Sequence, residues 1–262
     1  MGASQRLGLG DGHTLVFDDL GAGASTVVLA HNLLSHRGSY AAVAERLAAR
    51  ARVLNVDLRG HGDSRRTRRD FSVADLADDL AALLHATGTR GAVLVGTSLG
   101  AAAACELWRT RPDLVGALVL VACNPHRASA RDRLTFAALA AFVRAFGPGP
   151  LLDTLLANLH AEDAPADVRT AAAAQIRAMD RADTARAIHA WVTRPRLLGR
   201  LRGLRVPVRV VLGGADAACP RAACSALAAE LGTTVRVIPG AGHTLQAERP
   251  DELAAVVAEI LA

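Results

Sequence analysis

Short, almost wholly apolar runs recur along the chain, separated by segments with helical spacing. The runs are Thr26–Ala30, Arg52–Val56, Ala92–Val95, Ala117–Val121, Val206–Leu212 and Val235–Ile238. Near-continuous β-branched runs predict strands buried on both faces, as in a parallel sheet covered by helices. Behind Ser72, residues Val73, Leu76, Leu80, Leu83 and Leu84 recur at intervals that keep them on one helical face, and Asp75 stands where a capping box needs it. A final helix is expected from Pro250, with Asp251 and Glu252 in its electropositive first turn and Leu253, Val256, Val257 and Ile260 along its buried side.

The alternation stops between residues 124 and 204, where helical patterns follow one another without a convincing strand. This predicts a core formed by residues 1–123 and 205–262, with 124–204 as a helical insertion. Open α/β sheets place ligands at the carboxyl ends of their strands. An insertion leaving from such an end roofs the site, so the segment is expected to be a lid.

Composition narrows the class. The chain has 262 residues, 51% of them hydrophobic, which suffices for one sizeable α/β domain. The formal charge of +5 raises the question of nucleic acid, but there is no lysine and the arginines are scattered. The dense stretch Arg65-Arg66-Thr67-Arg68-Arg69 has no aromatic partner beyond Phe71 and is expected to be a solvated loop. The first residues lack the pattern of a secretory signal, and no apolar run reaches the roughly 18 to 20 residues of a membrane helix. A cytoplasmic protein acting on a small molecule, with no nucleic-acid or membrane partner, is therefore expected; a homo-oligomer is left open. Cys219 and Cys224 are spaced too widely for a C-x-x-C pair, so these two, with Cys105 and Cys123, are expected to be reduced and mostly buried. His13, His36, His85, His160 and His189 show no ligand-like clustering, and no metal or organic cofactor is implied.

The chemistry centres on Gly96-Thr97-Ser98-Leu99-Gly100, which joins a strand to an alanine-rich helix. Side chains at 96 or 100 would collide with the crossing strand and helix, so the glycines allow a sharp turn that presents Ser98 Oγ. A nucleophilic serine needs a base at the same edge. Ile238-Pro-Gly-Ala-Gly-His243 leaves the last strand and brings His243 there, and Asp216 follows the preceding strand. Glu248 and Asp251 lie nearer His243 in sequence, but both are assigned to the start of the final helix.

Together the motifs "AHNLL" at 30–34, "DLRGHGDS" at 57–64, "GTSLG" at 96–100, and "GGADAACP" with "GAGH" resemble the α/β-hydrolase superfamily over nearly the whole chain, in its serine-nucleophile esterase and enol-lactonase-like branch. The resemblance implies a mostly parallel sheet flanked by helices with an inserted helical lid. It further implies Ser98 as nucleophile, His243 as base, Asp216 as acid, and the backbone N–H groups of Leu33 and Leu99 as oxyanion hole. Where the family usually has His-Gly, this chain has His31-Asn32; Asn32 tolerates the left-handed turn that glycine permits, and its amide is an alternative oxyanion donor. His31, His61, Asp57, Arg59 and Asp63 are expected to organise loops. Asn32, Asn124, His126, Phe142, Phe146 and Trp191 are candidate substrate-binding residues, the aromatics suggesting an apolar acyl or aryl group. Hydrolysis of a carboxylic ester or lactone is the primary expectation. A C–C bond hydrolase, a thioesterase, a cofactor-free haloperoxidase and a non-enzymatic ligand receptor are alternatives on the same scaffold.

Overall fold

The computed structural model describes residues 4–262. Eight strands form one sheet in the order β1-β2-β4-β3-β5-β6-β7-β8. They are β1 Ser4–Gly8, β2 Thr14–Leu20, β3 Thr26–Ala30, β4 Arg52–Asp57, β5 Ala92–Thr97, β6 Val115–Val121, β7 Val208–Gly213 and β8 Val235–Ile238. From β4 to β8 every neighbouring pair is parallel; β1 and β2 form an antiparallel hairpin, and β2 runs antiparallel to β4. Every residue of β5 is buried, as its apolar run requires when helices cover both faces of a sheet.

The helices are α1 Ala41–Ala48, α2 Val73–Ala86, α3 Leu99–Thr110, α4 Ala130–Phe146, α5 Leu152–Leu159, α6 Ala166–Ala178, α7 Arg181–Val192, α8 Arg221–Glu230, α9 Leu245–Glu248 and α10 Pro250–Leu261. Ser72 caps α2 in the capping box expected from its sequence, with the Asp75 side chain reaching back to the Ser72 N–H. All six apolar runs form strands, that of Val206–Leu212 only from Val208, and α10 starts at Pro250. The fold is the α/β-hydrolase fold.

Four helices, α4 to α7, occupy the segment between β6 and β7. They rest on the core through specific bonds. Thr244 N–H donates to Leu159 O (2.9 Å), Gln175 Nε2 to Leu34 O (3.2 Å), and the carboxylate of Asp183, 1% exposed, accepts from the backbone N–H groups of Arg66 and Thr67. The Arg65–Arg69 stretch is thus not wholly solvated: Thr67 is buried against the helical segment while the four arginine side chains are exposed. No helix among the described residues is long and apolar enough to cross a membrane. All four cysteines are free and buried.

Candidate active site

Ser98 stands between β5 and α3 with φ 53° and ψ −102°, a conformation that L-residues rarely adopt. Its N–H donates to Val121 O (2.8 Å), which fixes the turn against the end of β6. The flanking glycines are required by close backbone contact. A Cβ on Gly100 would lie 2.1 Å from Ala30 O, and one on Gly96 would lie 2.5 Å from Ala101 N. Neither neighbour is a side chain that can rotate away.

The loops after β7 and β8 are joined by backbone bonds from Gly214 N–H to Ile238 O (2.8 Å) and from Ala215 N–H to Ala241 O (2.9 Å). This register places Asp216 beside His243. His243 Nδ1–H donates to Asp216 Oδ2 (2.9 Å), with Oδ1 at 3.1 Å. The backbone N–H groups of Ala218 and Cys219 donate to Oδ1 from the other side (2.8 and 2.9 Å), which aims the carboxylate at the ring. Both side chains are buried. This pairing fixes the tautomer that leaves His243 Nε2 free to accept a proton. Among the described residues Ser98 Oγ makes no hydrogen bond with His243, although both follow parallel strands at the same edge of the sheet.

Leu33 and Leu99 occupy the turn after β3 and the first position of α3. Neither N–H donates to a backbone acceptor among the described residues. The left-handed residue of the β3 turn is Leu34, at φ 62°, and not Asn32. Asn32 serves a different purpose from the one its glycine-like position suggests. It is fully buried; Nδ2 donates to Leu33 O (3.0 Å) and Oδ1 accepts from Gln246 Nε2 (2.9 Å). Gln246 Oε1 in turn accepts from Thr97 Oγ1 (3.0 Å), which bonds Tyr40 Oη (2.7 Å). One fully buried chain of polar groups therefore ties the turn after β3, the residue before Ser98, and the segment after His243.

His31 Nδ1–H donates to Asn32 O (2.8 Å) and its Nε2 accepts from Leu58 N–H (3.0 Å). Burial, with His61 beside it, holds His31 well below the ordinary histidine range. Asp57 accepts from the N–H groups of Arg37 (2.7 Å) and Asp63 (2.8 Å), organising its loop, while Arg59 pairs with buried Asp79. Glu248 ends α9 and does not belong to the start of the final helix. Its buried carboxylate accepts from Gly242 N–H (2.8 Å) and Ala161 N–H (3.3 Å) and meets His160 Nδ1 at 3.2 Å, linking the His243 loop to the helical segment. Asp251, by contrast, is exposed and pairs with Arg46.

Of the candidate substrate-binding residues, Asn124 and Trp191 are half-buried, His126 is exposed, and Asn124 Oδ1 accepts from His126 N–H (3.0 Å). Phe142 and Phe146 touch each other (centroids 5.0 Å apart), but Phe146 is 62% exposed and faces solvent rather than an enclosed cleft. Sequence reasoning missed Gln246 and also Arg194, a residue 6% exposed whose guanidinium stacks 3.7 Å over the Trp191 ring. A cavity of about 890 Å³ runs beneath α6 and is bounded by His36, Asp63, Gln175 and Met179; neither Ser98 nor His243 lines it.

With this geometry in place, residues 21–256 match the model of the alpha/beta hydrolase family, and the chain belongs to that family. It is similar to a 2-(acetamidomethylene)succinate hydrolase of Mesorhizobium japonicum, 28% identical over 237 residues that span 84% of this chain and 82% of the relative. It also resembles a putative carbamate hydrolase of Klebsiella pneumoniae, 28% identical over 92% of each chain. Among solved structures, a thermophilic esterase from Thermogutta terrifontis superposes with a TM-score of 0.92 at 27% identity, over 99% of this chain and 98% of that one. An enol-lactonase from Burkholderia xenovorans shares the fold, with a TM-score of 0.87 at 23% identity over 98% and 99% of the two chains.

Proposed function

We propose that the chain is a serine hydrolase that cleaves a carboxylic ester or lactone of a small, apolar molecule through an acyl-enzyme. The observation that carries this reading is the buried His243–Asp216 pair at the same sheet edge as a serine held at φ 53° between two obligatory glycines. His243 Nε2 takes the proton from Ser98 Oγ as the oxygen bonds to the substrate carbonyl carbon. The developing oxyanion is held by Leu33 and Leu99 N–H, two donors that are otherwise without a backbone acceptor. His243 then protonates the departing alcohol oxygen, and water, activated by the same imidazole, releases the acid and restores Ser98. Asp216 holds the imidazole in the required tautomer and stabilises its charged form.

In this reading residues 1–123 and 205–262 are the catalytic core and 124–204 the lid. Ser98 is only 4% exposed and His243 6%, so substrate reaches them when α4 to α7 shift. The likeness to a 2-(acetamidomethylene)succinate hydrolase, over 84% of this chain, supports a second reading, in which the same three residues hydrolyse a bond other than an ester.

The test is a panel of p-nitrophenyl esters, lactones, thioesters and vinylogous diketones under multiple-turnover conditions. Sustained turnover of medium-chain esters or lactones is expected. Exclusive turnover of the diketones or thioesters would replace the ester assignment, and binding without turnover of any substrate would make the protein a receptor.

A further inference from the structure

A second cavity, of about 420 Å³, lies where the β1–β2 hairpin meets the loop after β4. It is lined by Arg6, Gly12, His13, Thr14, Asp63, Arg65, Arg66 and Arg68. Because β2 runs antiparallel to β4, the start of β2 and the end of β4 meet at one sheet edge, with Val16 opposite Asp57. That pairing brings Arg6 and the arginines of the loop to one place.

The charge of this cavity is not neutralised from within. The nearby acids are already engaged by other arginines: Asp11 with Arg59 and Arg69, Asp75 with Arg69, and Asp63 with Arg37 at 3.0 Å. Arg6, Arg65, Arg66 and Arg68 form no ion pair among the described residues. Four arginines thus line one space that holds a single acidic residue, Asp63, itself already paired.

His13 lines the same cavity beside these arginines and is 7% exposed. Burial and the nearby charge of Arg59 hold its imidazole below the ordinary histidine range, so a bound dianion would act on it directly. The loop is held in register by the Asp183 carboxylate, which accepts from Arg66 and Thr67 N–H and fixes Arg66 at φ 69°. The arginines are therefore mounted on a fixed backbone.

Guanidinium groups are planar forks that match phosphate oxygens in bidentate pairs, and several in one cavity favour a dianion over a monoanion. No Phe, Tyr or Trp among the described residues lines the cavity, so it lacks the large aromatic platforms on which the bases of a nucleic acid stack. The cavity adjoins the 890 Å³ space beneath α6, with Asp63 and Arg65 common to both linings, and Ala171, Ala174, Ala178 and Met179 give the larger space an apolar wall. We propose that the arginine-lined cavity binds the phosphate of a small organic phosphate monoester, whose organic part lies in the adjoining space beneath α6. Ser98 and His243 line neither cavity, so this site stands apart from the hydrolase assignment.

Calorimetric titration at constant ionic strength tests this with phenyl phosphate, inorganic phosphate and citrate. Phenyl phosphate is expected to bind saturably and at least about tenfold more tightly than inorganic phosphate or citrate. Arg65→Ala and Arg68→Ala alter exposed side chains, and each is expected to weaken binding about tenfold, the scale of a charge-assisted hydrogen bond. In the unsubstituted protein the His13 imidazole resonances should move on titration, and its pKa should rise as the dianion favours the charged ring. Three results each overturn the proposal: no saturation by phenyl phosphate, unchanged affinity in the Arg65→Ala/Arg68→Ala double variant, or unmoved His13 resonances. Equal affinity for inorganic phosphate overturns the assignment of the organic part, and equal affinity for citrate overturns the choice of phosphate.

Discussion

Replacing Gln246 by leucine would test whether the buried polar chain behind Ser98 is a structural necessity. Leucine nearly preserves volume, so the change removes hydrogen bonds without opening a large cavity. Gln246 Nε2 donates to Asn32 Oδ1 (2.9 Å) and Ser39 Oγ (3.2 Å), and Oε1 accepts from Thr97 Oγ1 (3.0 Å). Thr97 keeps Tyr40 Oη, and Ser39 keeps its bond to His36 O (2.9 Å), so each retains a partner. Asn32 Oδ1 retains none and is fully enclosed. An orphaned buried acceptor costs about 1–3 kcal/mol, and the two other lost bonds, whose partners stay bonded elsewhere, about 0.5 kcal/mol each, giving about 2–4 kcal/mol. For a chain of this size that lowers Tm by roughly 4–15 °C. Urea unfolding of the wild type, Gln246→Leu, Asn32→Ala and the double variant measures the effect. Removing Asn32 as well abolishes the orphan, so the double variant should lose about 0.5–3 kcal/mol less than the sum of the single losses. A Gln246→Leu loss below about 0.5 kcal/mol, or strict additivity, would refute the reasoning.

Asp216→Asn should leave the fold nearly intact but present His243 in the wrong tautomer, lowering kcat by up to about 10⁴ on any substrate of the panel; unchanged kcat would mean that another carboxylate serves the histidine. Arg194 is a cation enclosed without a carboxylate partner among the described residues, with Nε unbonded and its pKa lowered by burial to about 10. Arg194→Met keeps the stem packed on Trp191 and should be neutral or stabilise by up to about 4 kcal/mol in urea melts, whereas a loss above about 2 kcal/mol would show that the guanidinium itself holds the segment together. Burial lowers the pKa of both His31 and His61, so near pH 6 the unfolded chain binds protons that the native protein does not. Stability is therefore fully present above about pH 6.5 and falls as pH drops, by up to about 1.4 kcal/mol per pH unit for each histidine; equal unfolding free energies at pH 5 and 7 would contradict this.

The parallel half of the sheet was legible because each strand is buried on both faces and reads as a continuous apolar run. The β1–β2 hairpin was not. Ser4–Gly8 is an edge strand with mostly exposed residues, and Thr14–Leu20 carries, just before its last residue, Asp18-Asp19, whose carboxylates pair with Arg37 and Arg52. Edge strands carry little periodic signal because only one side is paired and covered. The turn around Ser98 was visible because its glycines answer a local steric demand. The role of Asn32 was hidden because its partner, Gln246, comes from the far end of the chain, and a lone glutamine three residues after a histidine has no local pattern. Glu248 was misread for a related reason. A carboxylate beside a helix start already has a local explanation, and only the fold shows that Gly242 and Ala161 N–H groups turn towards it.

The central claim is that Ser98 is the nucleophile, and covalent labelling tests it most directly. An active-site fluorophosphonate, followed by intact-mass and peptide analysis, should add one label per chain on the peptide containing Ser98. Ser98→Ala should abolish labelling and lose most turnover, leaving a residual rate about 10³ to 10⁴ above water. Labelling on a different residue, or undiminished turnover by Ser98→Ala, would contradict the account.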